Sequence, residues 1–296
     1  MKRSCVVVEK RTSWQRFVEE GRDPRVLSLV DERHGSVERM KQAHDAHLKS
    51  LEAVRTLLSV AGYELVRVAS PASPFDATGH ALVVTVGGDG TLLAASHHVS
   101  TTPILGVNSA PAHSVGHFCG ATEHTLADVL AQLDAGVLPD ASLARMAVKK
   151  GDQLVSARVL NDALFCHSSP AATSRYRVDV GGVSELQRSS GLWIGPPAGS
   201  TAAQRSAGGD VLPLEADLLQ LVVREPYDPE GRPLRVSKLV LSPDEVVRVE
   251  SRMHDASLFV DGPSDRTPIA FGEELSFSLS DERLRVLGVS KERGRS

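Results

Sequence analysis

The period of the apolar residues changes near residue 140, and this change constrains the fold more than any other feature of the chain. Before it, short apolar runs alternate with helix-like segments: CVVVE (5–9), a helical stripe of Leu48, Leu51, Val54 and Leu58, then YELVRV (63–68), ALVVTV (81–86) and PILGVN (103–108). Strands separated by helices predict βαβ units and a mostly parallel sheet. ATEHTLADVLAQLDAG (121–136) predicts a closing helix, with Thr122 as N-cap, Leu126, Val129, Leu130 and Leu133 as the buried stripe, and Gly136 as the stop. From about Ser142 the alternation has period two, in LARMAVKK, QLVSARVL, YRVDVGG, LLQLVVRE, EVVRVESR, ASLFVDG and ELSFSLS. The expected architecture is an α/β domain over 1–138 and a β-rich, antiparallel, sandwich-like domain over 139–296, whose last residues, SKERGRS, form a solvated tail.

At 296 residues and 41% hydrophobic content the chain can bury two cores. Its net charge of −4 argues against nucleic acid or an anionic membrane as the main partner. The opening MKRSCVVVEKRTSW has an apolar run too short for a signal peptide, and no later stretch approaches a membrane span, so a cytoplasmic location is expected. Cys5, Cys119 and Cys166 form no C-x-x-C pair, which indicates neither a disulfide framework nor a zinc site. The histidines at 97, 98, 113 and 117 show no metal-ligand spacing with cysteines or carboxylates; His117 is the one expected near a substrate.

VVTVGGDGTLLAASHHV (83–99) sets three glycines and a carboxylate between a β-branched run and a helix-like segment. A strand turning into a helix through Gly87, Gly88, Asp89, Gly90 and Thr91 leaves backbone N–H groups exposed beside the positive helix end, which suits a phosphate chain. The spacing is neither G-x-G-x-x-G nor the Lys-bearing P-loop. A carboxylate inside a phosphate cradle repels its ligand unless it serves chemistry or a metal, so Asp89 is a candidate general base or Mg²⁺ contact; the alternative is a plain turn with Asp89 capping the helix.

SGLWIGPPAGSTAAQRSAGG (190–209) is a second small-residue cluster, in which a flat ring can lie on backbone while Ser200, Thr201 and Ser206 offer uncharged hydrogen bonds. Trp193, Ile194 and the Pro196-Pro197 pair make it stiffer than a Gly/Ser linker. In VLNDALFCHSSPAATSRYRV (159–178), Asn161 and Asp162 end an apolar run, as a turn or as a grip on ribose hydroxyls or an adenine edge.

Taken in order, GGDGTLL, GVN, LND, GSTA…SAGG and FVDG (259–262) resemble the NAD kinase family, which transfers the γ-phosphoryl group of ATP to the 2′-hydroxyl of the adenosine ribose of NAD. GVNSAPAHSVGHFCGAT (106–122), KRTSWQRF and HDAHLKSLEAV are similar to the plant NADH kinase and mitochondrial-type branch. The resemblance implies a Rossmann-like nucleotide domain followed by a β-rich domain, ATP and NADH or NAD as substrates, Mg²⁺ or another divalent cation with the ATP, and a homodimer or larger homo-oligomer. It implies that Asp89 activates the acceptor hydroxyl, while Gly87, Gly88, Gly90 and Thr91 cradle ATP phosphates. Asn161 and Asp162 would hold the adenosine half; Ser190, Thr201, Ala202, Ser206 and His117 would line the dinucleotide site.

Ser190 stands where the commoner bacterial pattern has Asp, Ala203 where it has Tyr, and His117 where it has Phe. Losing a carboxylate at Ser190 would weaken the attraction for the cationic nicotinamide of NAD relative to NADH. The chain ends soon after its last predicted strand, so the family's segment returning to the first domain is expected to be short or absent. No Lys lies in the glycine corner; Arg175, Arg188 and Arg205 flank the loops, as solvated residues or phosphate ligands. Two rival classes share parts of this pattern. A lipid or sugar kinase with the GGDGT loop is disfavoured by GSTAAQRSAGG, and a non-catalytic dinucleotide-binding regulator is disfavoured by Asp89.

Overall fold

The computed structural model describes residues 3–227, 231 and 233–290. They divide into two compact units, one running to Ala141 and including Arg285–Ser290, the other spanning Ser142–Leu284. The predicted tail lies, from Lys291 on, outside the described residues.

The first unit follows the alternation of the sequence. Its elements are β1 (Arg3–Glu9), a π-helical turn (Gln15–Glu20), α1 (Pro24–Asp31), α2 (Gly35–Val60), β2 (Tyr63–Val68), β3 (Leu82–Gly87), α3 (Asp89–Ser96), β4 (Ile104–Asn108), β5 (Cys119–Thr122), α4 (Leu126–Asp134) and β6 (Asp140–Leu143). The sheet runs β2, β1, β3, β4, then the C-terminal strand Leu284–Leu287 and β6, with β5 also on β4. The pairs β1 with β2, β1 with β3, β3 with β4 and β4 with β5 are parallel. Every residue of β3 is buried. Leu82, Val84 and Val86 join Leu51, Val54 and Leu58 of α2 and Leu126, Val129 and Leu130 of α4 in one core. The residues between them face the other side of the sheet, as the period of two requires; there Leu92 of α3 approaches Gly106 of β4.

Three expectations need correction. Leu48 is 42% exposed, because at about 100° per residue it lies roughly a quarter-turn off the face of Leu51, Val54 and Leu58. The closing helix has Thr125, not Thr122, at its N-cap; Thr122 precedes it and donates its N–H to the Thr125 hydroxyl at 2.9 Å. Leu133 is only partly buried at the edge of the core. The returning segment is short, as expected: in the four-residue strand Leu284–Leu287, Val286 registers in parallel with Ile104 of the first unit's sheet.

The second unit is a β-sandwich. One sheet runs Val183–Ser189, Ser174–Val180, Val247–Ser251, Glu274–Leu279, Met146–Lys150 and Gln153–Val159, antiparallel throughout. The other runs Lys238–Leu241, Leu219–Val223, Leu192–Gly195, Ala163–His167, Ala256–Val260 and Asp265–Ile269, also antiparallel. Phe165 from one sheet meets Tyr176 from the other edge-on, with centroids 5.8 Å apart at 88°. The Tyr176 hydroxyl is satisfied by Ser189 Oγ at 2.8 Å. Strand Val183–Ser189 escaped the sequence reading because its inward face carries Gln187 and Ser189 while Leu186 points out. Gln187 tolerates burial by donating to the Val236 carbonyl at 2.6 Å.

Phe165 is fully buried at this junction. Phe165→Ala is expected to lower the unfolding free energy by about 3–5 kcal/mol, against less than about 0.5 kcal/mol for the exposed Leu48→Ala. Urea denaturation of both variants checks the difference.

Candidate active site

The strand order of the first unit reverses between β1 and β3, and in such sheets ligands bind outside the carboxyl ends of the strands at the reversal. Glu9 and Gly87 end those two strands, so the glycine corner stands at that point. Lys10, the residue after β1, donates its N–H to the Val86 carbonyl at 3.0 Å, and its Cβ would be 3.0 Å from a side-chain carbon on Gly87. The corner therefore does have a lysine beside it, supplied by a strand distant in sequence.

The three glycines are there for different reasons. A side chain at Gly87 would run into Thr91, and one at Gly88 into the Ser114 hydroxyl, whereas one at Gly90 would meet nothing within 4 Å. Gly90 is exposed, so its missing side chain leaves backbone open to a ligand rather than to protein. Thr91 is buried in the first turn of α3.

Asp89 does not cap its helix: Gly88 is the N-cap, and no side chain caps there. Its carboxylate instead accepts the N–H of His117 at 2.9 Å on Oδ2 and that of Phe118 at 2.8 Å on Oδ1. One amide on each oxygen fixes the group and leaves further lone pairs on both. Asn108, which pairs with Gly87 in the sheet, shapes the loop that supplies these amides. Its Nδ2 donates to the Ser114 carbonyl at 3.0 Å and its Oδ1 accepts the Ala110 N–H at 3.2 Å. Gly116 closes the loop at φ +69, where a side chain would collide with the Asn108 amide. Ser109 is tied to buried His47, Oγ to Nδ1 at 2.9 Å. Burial, with Lys10 and His44 nearby, pushes the His47 imidazole down to about 4.

In the second unit a different carboxylate does similar work. Asp261, of FVDG, accepts the backbone N–H groups of Leu160 at 2.9 Å, Asn161 at 2.6 Å and Asp162 at 3.1 Å. It returns its own N–H to the Asp162 carbonyl at 2.9 Å. Gly195 and Gly199 lie so close to the Asn161 carbonyl that neither has room for a side chain. Asn161 Nδ2 donates to Asp162 Oδ2 at 3.1 Å. Asp162 is buried, and burial, aided by Asp261, pushes its carboxyl up to about 7.

Two clefts of the second unit share Arg224 and Glu225. One, of about 510 Å³, is lined also by Trp193, Ala203, Ser206 and Ala207; the other, of about 420 Å³, includes Ser190, Cys166 and Phe259. Thr201 is exposed and Ala202 half-buried just before the helical turn Ala203–Ser206. Ser200 is fully buried and structural: its hydroxyl donates to the Pro197 carbonyl at 2.7 Å and accepts the Leu212 N–H at 3.0 Å. Arg205 is exposed. The Ser190 hydroxyl donates to the Glu225 carboxylate, so a negative charge stands beside this position. Glu225 holds a left-handed backbone, φ +45, and lies too far along the chain for the local motif to reveal it.

Residues 10–136 match the ATP-NAD kinase N-terminal domain family. A probable NADH kinase of Oryza sativa subsp. japonica is 36% identical over 229 residues, covering 70% of this chain and 70% of that protein. The chain belongs to the NAD kinase family. An NADH kinase of Arabidopsis thaliana is 35% identical over 247 residues, covering 72% of this chain and 75% of that protein. The NAD kinase fold is shared with the crystal structure of an NAD kinase from Archaeoglobus fulgidus in complex with ATP, at TM-score 0.67 and 20% identity, over 99% of this chain and 96% of that one. Of the residues named from sequence, the first unit brings Gly87, Gly88, Asp89, Gly90 and Thr91 to one corner, with His117 joined through its backbone. The second brings Asn161 and Asp162 onto Asp261, and sets Ser190 and Ser206 around Arg224 and Glu225. Asn108 and Asp261 stand in the GVN and FVDG motifs, which carried no assigned role, while Lys10 and Glu225 lie outside every motif read from the sequence.

Folded Asp162 keeps its proton to higher pH than the unfolded chain, so folding takes up a proton between 3.8 and about 7 and stability falls as pH rises through that window. Asp162→Asn, which keeps the shape and removes the titration, is expected to flatten the decline. Thermal melts of both proteins across that window check it; an unchanged slope would exclude Asp162 as its source.

Proposed function

We propose that the chain transfers the γ-phosphoryl group of ATP to the 2′-hydroxyl on the adenosine ribose of NADH or NAD, giving NADPH or NADP. The observation that carries this reading is the Asp89 carboxylate at the first residue of α3, held by two loop amides instead of capping the helix. Phosphoryl transfer asks a protein for positioning and charge stabilisation more than for covalent chemistry. Asp89 orients the 2′-hydroxyl and takes its proton as the new O–P bond forms and the bond from the γ-phosphorus to the ADP oxygen breaks. The first-turn amides of α3 and the open backbone at Gly90 serve the phosphates, and Lys10, whose Cβ lies beside Gly87, is the nearby cation available to them.

Mg²⁺ or another divalent cation would be held mainly by the ATP phosphates, which leaves the Asp89 carboxylate to act as the base. Bound with ATP, it would neutralise phosphate charge. Asn161, Asp162, Thr201, Ala202 and Ser206 serve the dinucleotide in the same reading, with His117 at the loop beside Asp89. The protein acts as a homodimer or larger homo-oligomer in the cytoplasm.

Glu225, held by Ser190, supplies the negative charge toward a cationic nicotinamide, so NAD is accepted alongside NADH. Turnover of ATP with NAD and NADH, with diacylglycerol and sugars as controls, tests the substrate class by mass and position of the new phosphate. Phosphorylation of a control with none on the dinucleotides would overturn it. Asp89→Asn is expected to lower kcat by about 10²–10⁴-fold with dinucleotide binding retained. Glu225→Gln is expected to move the kcat/KM ratio toward NADH by roughly five- to tenfold, about 1 kcal/mol.

A further inference from the structure

The buried face of α2 changes character along its length. Its C-terminal half packs Leu51, Val54 and Leu58 into the core of the first unit, whereas earlier turns of the same helix bury two imidazoles, His44 and His47. Buried polar rings need partners, and both find them on segments that leave the carboxyl ends of the strands. His44 holds the segment after β1. Its Nδ1 lies 2.8 Å from the Thr12 hydroxyl, its Nε2 lies 3.5 Å from Glu19 Oε1, and its ring stacks on Trp14 with centroids 6.4 Å apart.

His47 reaches the end of β3, which is flanked by one residue from each neighbouring strand. Lys10, after β1, donates its N–H to the Val86 carbonyl at 3.0 Å, and Ser109, after β4, donates its N–H to the Gly87 carbonyl at 3.1 Å. The imidazole of His47 is bonded to both flanking residues. Its Nδ1 is 2.9 Å from Ser109 Oγ, and it also makes a hydrogen bond to the backbone of Lys10. Because the Lys10 N–H is already spent on Val86, the Lys10 carbonyl is the group that His47 meets. Burial keeps the ring neutral, with its pKa pushed down to about 4, and a neutral imidazole offers one N–H and one lone pair. A carbonyl only accepts, so Nε2 holds the proton and Nδ1 accepts from the Ser109 hydroxyl.

A leucine would fill this place without burying polar atoms; what the imidazole adds is a stiff bridge. We propose that His47 is a positioning residue for phosphoryl transfer: one ring ties the segment carrying Lys10 to the loop whose amides hold Asp89, so that the phosphate side and the base side of the corner keep a fixed spacing. This assignment rests on the reaction proposed above, in which a misplacement of about 1 Å can cost on the order of a hundredfold in rate.

His47→Asn and His47→Gln separate the two ties, since the shorter amide can take the place of Nδ1 and the longer one that of Nε2. In His47→Gln and in Ser109→Ala, kcat is expected to fall by about fivefold or more, with the Kd for ATP from isothermal titration within about twofold of wild type. In His47→Asn the Kd for ATP is expected to rise by about fivefold or more. Combining His47→Gln with Ser109→Ala should lower kcat no further. Hydrogen exchange reads the loop tie without turnover: the His117 and Phe118 amides on Asp89 should exchange at least about fivefold faster in His47→Gln and Ser109→Ala, and at the wild-type rate in His47→Asn. Ser109→Ala loses only a hydroxyl, so the test stays readable if a ring replacement fails to fold. Equal losses of kcat and ATP affinity in the Asn and Gln variants, additive losses in the double variant, or unchanged exchange in Ser109→Ala would overturn the assignment and leave His47 a packing residue. Exchange needs no substrate, so a protein that phosphorylates no dinucleotide would fail the functional reading while the tie from His47 to the loop is still tested.

Discussion

Both oxygens of the Asp89 carboxylate accept backbone amides from the loop after β4, and much of the first unit can be understood as what is needed to keep those two hydrogen bonds. They require β3 and β4 to lie side by side so that Gly87 and Asn108 stand opposite. They require Asn108 to bridge its own loop and Gly116 to take a left-handed turn against it. Buried His47 reaches from α2 to anchor Ser109 at the start of the loop. A carboxylate at a helix start is stabilised by the helix's positive end, but the usual cap geometry would turn it onto the helix's own amides. Here the loop amides hold it elsewhere, and a charged group is left oriented without being spent on the helix.

The second unit uses the same device. Asp261 takes three consecutive backbone amides and thereby fixes the turn that presents Asn161 and Asp162. Gly195 and Gly199 allow the next loop to close over the Asn161 carbonyl. These turns rise from the sandwich, where Phe165 and Tyr176 meet between the two sheets. In both places a carboxylate that looks like a ligand contact in the sequence, or like nothing in particular, shapes backbone first.

The fold was legible wherever burial and period agree. β3, buried on both faces, reads as a continuous apolar run, and strands such as Val247–Ser251 alternate cleanly. Legibility failed where polar residues face inward, as in Val183–Ser189, and where the decisive contact joins residues distant in sequence. Lys10 reaches the glycine corner only because β1 and β3 are parallel neighbours. Glu225 stands beside Ser190 only because their strands end together, with the Ser190 N–H on the Arg224 carbonyl at 2.9 Å. The corner itself was visible because glycines and a carboxylate in that order have few other uses. What Asp89 touches was not, since amide donors carry no side-chain signature.

The central claim is that Asp89 acts from a position set by the loop that Asn108 shapes, and a double-mutant cycle on the two residues tests it most directly. Asn108→Ala alone should lower kcat by about tenfold or more with little change in the KM for ATP, and should add almost nothing to Asp89→Asn, because a loop that only positions a carboxylate has nothing left to position. Full additivity of the two losses in kcat would contradict the account.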